Sequence, residues 1–73
     1  MKMIDRGTNE EEVIKSIYEG SLEPARKGRK LYRKNFLFNN TWRGKKYSVK
    51  QVAPVVAEEK NGLLVITVYV YYF

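Results

Sequence analysis

Near the C-terminus, Asn61-Gly62 separates two runs of β-forming residues, Lys46 to Ala57 and Leu63 to Phe73. Asn-Gly suits the two positive φ values of a type I′ turn, so the runs are expected to pair as an antiparallel hairpin. A third run, Lys30 to Thr41, is rich in aromatics and is joined to the second through Arg43-Gly44-Lys45, a second turn signal. At 73 residues there is room for a single domain, 1–73. A core of this size buries only about 60% of the unfolded surface and is marginal without a staple or a partner. The chain contains no Cys and no His. That excludes disulfides, structural zinc, thiol nucleophiles and any histidine base, so neither metal nor cofactor is expected.

Thr8-Asn9-Glu10-Glu11 reads as a capping box, with the Thr8 hydroxyl accepting from the Glu11 amide. Acids crowd the first turn that follows, Glu11 and Lys15 are correctly ordered at i,i+4, and Gly20 stands where a C′ residue belongs. The expected apolar stripe is Val13, Ile14, Ile17 and Tyr18. A helix of about 11 residues does not persist alone and must dock on the sheet. Met3 and Ile4 are expected to close an earlier helical turn. The fold class is therefore α+β: a short N-terminal helix on a three-stranded antiparallel meander, with a fourth strand left open. Pro54 cannot donate to a ladder, so the middle strand is expected to be imperfect there.

Opposed residues in a hairpin share a face, which assigns side chains without coordinates. With Asn61-Gly62 as one turn and either Arg43-Gly44 or Gly44-Lys45 as the other, Tyr32, Phe36, Phe38, Val49, Ala53, Val55, Ala57, Leu64, Ile66, Val68 and Val70 form a core face. The opposite face takes Arg33, Asn35, Leu37, Lys46, Ser48, Lys50, Val52, Val56, Val65, Thr67, Tyr69, Tyr71 and Phe73.

The net charge of +6 is unevenly distributed. Pro24 to Ala57 carries ten cations and no acid, whereas Met1 to Glu23 is acidic. An anionic partner is the plainest reading, most often nucleic acid; the competing reading is a solvated face neutralised by the acidic helix. Arg33, Lys46, Lys50, Tyr69 and Tyr71, with Arg43 near the hairpin tip, interleave cations with rings as RNA-binding surfaces do. Were there chemistry, it would be metal-independent RNA cleavage, with Lys50 or Tyr69 as base and Arg33 as phosphate clamp. The alternative is a non-enzymatic module that homodimerises through the aromatic face. No stretch has the apolar core of a secretory signal and none is long enough for a membrane helix, so a cytoplasmic protein is expected.

Arg6-Gly7-Thr8, Glu11-Glu12-Val13, Ile17 and Gly20, with Ile66-Thr67-Val68-Tyr69 at the end, resemble the small bacterial and archaeal family catalogued as domain of unknown function 4258. That family is similar to RelE-like and colicin-like ribonuclease toxin folds, in which N-terminal helices pack on an antiparallel sheet. RelE-like toxins work with Lys, Arg and Tyr in place of a histidine pair. The resemblance implies an RNA substrate and an antitoxin-like protein partner, and only Tyr69 maps onto the family's terminal motif. Members usually carry a His ahead of the Arg-Gly stretch, and this chain has none.

Overall fold

The computed structural model describes residues 7–73. Helix α1 (Glu10–Glu19) is followed by four strands, β1 (Ser21–Pro24), β2 (Lys30–Trp42), β3 (Lys45–Glu59) and β4 (Gly62–Tyr72). The sheet order is β1-β2-β3-β4 and every pairing is antiparallel, so the fold is an α+β meander with α1 laid over β2 and β3. The fourth strand is β1, which occupies part of the segment read as a connection and pairs Ser21 to Pro24 with Arg33 to Lys30. The expected turn containing Met3 and Ile4 lies outside the described residues.

Helix α1 starts one residue later than the capping box predicts. Asn9 is the N-cap, its side-chain oxygen accepting from the Glu12 amide at 2.9 Å, while Thr8 is buried and donates its hydroxyl to the Glu12 carboxylate at 3.0 Å. The buried face also differs from the expected stripe: Val13, Ser16 and Ile17 face the sheet, whereas Ile14 and Tyr18 are exposed. Small residues set the approach distance. Ser16 is fully buried with its hydroxyl donating to Glu12 O at 2.8 Å, and a Cβ on Gly20 would lie 2.4 Å from Ser16 O and 2.5 Å from Arg33 O. Gly20 is thus required by backbone proximity, since its φ of −79° is one any residue adopts.

The β2–β3 turn is Arg43-Gly44, with both φ values positive as type I′ demands (51° and 82°). The β3–β4 turn is centred on Lys60-Asn61, one residue earlier than expected, with Gly62 following at φ 136°. Near that tip the parity is still the expected one. Two bulges then change it. One lies between Leu37 and Asn40 of β2, where Asn39 adopts φ 42°; the other lies between the Val55 and Val56 pairings, where Ile66 of β4 is the extra residue. Each extra residue inverts the facing of everything beyond it. Pro54 leaves the expected imperfection: pairing between β2 and β3 skips from Leu31↔Val55 to Lys34↔Val52.

As a result, the helix-covered face carries Lys34, Phe36, Lys50, Val52, Pro54, Val56, Val65, Val68, Val70 and Tyr72. Val52, Val56 and Val68 are fully buried there, with Val13, Ile17, Phe36, Val65 and Val70 packed around them. This corrects the parity reading, which set Lys50, Val52, Val56 and Val65 on the opposite face and Val49, Ala53, Val55 and Ile66 in the core.

Candidate nucleic-acid interface

The uncovered face is laid out in cross-strand rows by the register of β2, β3 and β4. Leu31, Val55 and Thr67 form one row; Ala53 and Tyr69, with Arg33 alongside, the next; Asn35, Gln51 and Tyr71 the third; Leu37, Val49 and Phe73 the last. Tyr69 and Tyr71, two residues apart on β4, stack at 6.4 Å between centroids and 23° between planes, each about half exposed. Arg33 lies 5.8 Å from the Tyr71 centroid, a cation–π distance. Its Nε donates to Glu23 at 2.6 Å and its Nη1 to Gln51 at 2.9 Å, while the Gln51 amide donates to Asn35 at 2.9 Å. The two bonds of Arg33 orient its guanidinium, and the one to Glu23 raises its pKa above the ordinary value.

Lys50 does not belong to this surface. Its ammonium is buried beneath α1, 2.8 Å from the Glu12 carboxylate and 2.9 Å from the Gly7 carbonyl, and 5.5 Å from the Phe38 centroid. Placing it beside Tyr69 and Tyr71 is therefore corrected: the extra residue Ile66 inverts β4 relative to Lys50, and the bulge at Asn39 parts Lys50 from Arg33. Arg43 and Lys46 lie at the far end of the β2–β3 arm. There Arg43 covers the Trp42 ring at 5.1 Å, Lys45 covers Tyr47 at 5.7 Å, and Trp42 stacks on Tyr72 at 5.0 Å. Of the expected set, the structure gathers Arg33, Tyr69 and Tyr71 on one face; Lys50 is on the other, and Arg43 and Lys46 are at the tip.

The acid-free block is partly neutralised, by carboxylates of the acidic helix at Glu12 and Glu19 and by others outside it at Glu23 and Glu58. Arg33 pairs with Glu23, Lys34 with Glu19 at 3.2 Å, Lys50 with Glu12, and Lys30 with Glu58. Arg26, Lys27 and Arg29 have no carboxylate partner among the described residues; they cluster in the β1–β2 loop at one end of the open face. Two hollows flank Arg33. One of about 380 Å³ is polar, lined by Glu19, Glu23, Lys34 and Gln51 among others; the other, of about 450 Å³, runs from Arg26 and Arg29 to Tyr69.

Sequence reasoning missed Gln51, Glu23, Arg26 and Arg29 as parts of the site. Gln51 carried its own signal, because strict parity put a primary amide in the apolar core, a placement that calls for a bulge. Compared with family models, curated proteins and solved structures, the chain matches none. No helix among the described residues is long and apolar enough to cross a membrane.

Proposed function

We propose that the protein binds single-stranded RNA along the uncovered face of its sheet. The observation that carries this reading is the stacked, half-exposed Tyr69 and Tyr71 pair beside the fixed guanidinium of Arg33. An antiparallel sheet with a helix on one side and aromatic rings open on the other suits stacking of splayed bases, while cations outside the rings track phosphates. Gln51 and Asn35, already joined by a hydrogen bond, offer amide edges to the bases. The resemblance to RelE-like toxins adds cleavage to the proposal, with Arg33 and Tyr69 as the residues that face a common substrate. Binding is the part the geometry supports better, because Lys50 is engaged elsewhere.

Titration of fluorescent RNA tests the reading. At about 50 mM salt, affinity is expected to fall log-linearly as salt is raised. Each of Tyr69→Ala and Tyr71→Ala is expected to weaken binding by ~1–3 kcal/mol, the worth of one stacked base. Absence of binding at low salt ends the proposal. A second reading is favoured by one observation: Leu37 and Phe73, in the last row of the same face, are 84% and 57% exposed. They suit a second copy docked face to face, and sedimentation at rising concentration separates the two readings. Growth arrest on induction, lost in Arg33→Ala, would favour cleavage over binding alone.

A further inference from the structure

The hollow at the β1–β2 end of the open face combines apolar residues with arginines. Its floor is apolar, made by Leu31, Val55 and Ile66, and Tyr69 borders one side. Its opposite wall is the loop that carries Arg26 and Arg29, and that loop is internally bonded: the Ala25 amide donates to Arg29 O at 2.8 Å and the Arg29 amide to Arg26 O at 3.2 Å. The backbone positions from which the two side chains project are thereby fixed. Glu23 also lines the hollow, but its carboxylate is held by Arg33, so these four charged groups leave two positive charges. The volume of about 450 Å³ is that of a small-ligand site.

We infer that this hollow seats a terminal phosphomonoester of the bound RNA. The inference rests on the RNA reading above and specifies where the bound strand ends. A phosphomonoester carries close to two negative charges at neutral pH and three acceptor oxygens, whereas an internal phosphodiester carries one charge. Two arginines without carboxylate partners match the former, since guanidinium forks bind such oxygens in bidentate fashion. The position fits as well. Tyr69 belongs both to the stacked pair and to the hollow, so a base stacked on Tyr69 is the terminal one and its phosphate meets the loop wall.

The test compares internally labelled oligomers of about eight nucleotides, a typical length for a small single-strand binding surface, carrying a 5′-phosphate, a 3′-phosphate or neither, against the intact chain. One phosphorylated end is expected to bind about tenfold tighter than the unphosphorylated oligomer, and which end it is gives the direction of the strand. The preference should shrink as pH falls below about 6, where the monoester gains a proton. Arg26→Ala combined with Arg29→Ala is expected to weaken all three oligomers through the two lost charges and to abolish the preference, so that the phosphorylated and unphosphorylated oligomers then bind alike. Circular dichroism confirms that the double variant folds, and Arg26→Lys with Arg29→Lys, which keeps the charge without the fork, should restore only part of the preference. Equal binding of all three oligomers overturns the inference and leaves the RNA reading standing. Failure of every oligomer to bind overturns both.

Discussion

The two faces of one sheet make opposite use of the same residue types. On the covered face, Lys50 is a buried cation held by Glu12 and the Gly7 carbonyl, and Tyr72 is packed among Phe38, Trp42 and Tyr47. On the open face, Arg33 is a half-exposed cation held by Glu23 and Gln51, and Tyr69 and Tyr71 stack on each other with their outer surfaces in solvent. A cation beside an aromatic ring is therefore not in itself a binding signature. What separates the two settings is whether the pair lies between helix and sheet or outside them, and that depends on two single-residue bulges.

The largest expected effect probes the covered side. Glu12→Ala leaves the Lys50 ammonium without its carboxylate in a nearly water-free site and should cost about 3 kcal/mol. Arg33→Ala, which removes the corresponding pair on the open face, should cost below about 1 kcal/mol because both partners are solvated. Paired urea titrations of the two variants measure the difference, and equal losses would break the contrast between faces. Gly20→Ala comes next. The added methyl meets two carbonyl oxygens, so ~1–3 kcal/mol is expected from overpacking, read as a drop in Tm.

Asn39→Val places a β-branched residue at a left-handed φ and should cost ~1–2 kcal/mol, whereas Asn39→Gly should be close to neutral. Similar losses in both would show that the bulge is not held by backbone conformation. The smallest effect is alkaline. Burial first, then the Glu12 carboxylate, raise the Tyr72 pKa above its ordinary value, so the folded state prefers the neutral phenol. That contribution is complete below about pH 10 and is lost as pH rises through the elevated folded value. Lys30, raised chiefly by its hydrogen bond to Glu58, acts in the same direction in the same range. Thermal melts above pH 10 should therefore show falling stability, with a shallower decline in Tyr72→Phe.

The helix, three of the four strands and a turn at Gly44, though not which of its neighbours shares it, were legible because each rests on a local rule: a Thr capping box, alternation of β-branched residues, a glycine turn. Strand β1 was not legible, since Ser-Leu-Glu-Pro is too short to show a period and forms only against β2. The helix register failed by one residue because Thr8 and Asn9 both cap well, and tertiary burial of Thr8 decides between them. The site was half legible. Arg33, Tyr69 and Tyr71 fall on one face as expected because the two bulges cancel between β2 and β4, whereas Lys50, on β3 between them, is inverted relative to both, and Gln51 was the one sign of it in the alternation pattern.

The mismatch in length between α1 and the strands carries a further consequence. The helix has 10 residues, about 15 Å at 1.5 Å each, whereas β3 has 15 and the molecule is 41 Å long. The helical cover is thus local, and toward Arg43-Gly44 the strands are held, among the described residues, by their own ladder and by the aromatic group of Trp42, Tyr47 and Tyr72, against which Gly7 lies. Amide exchange should accordingly be graded along a single strand: slowest at Val52, under the helix, and fastest at Lys45 and Lys46, so that one element belongs at its two ends to different opening events.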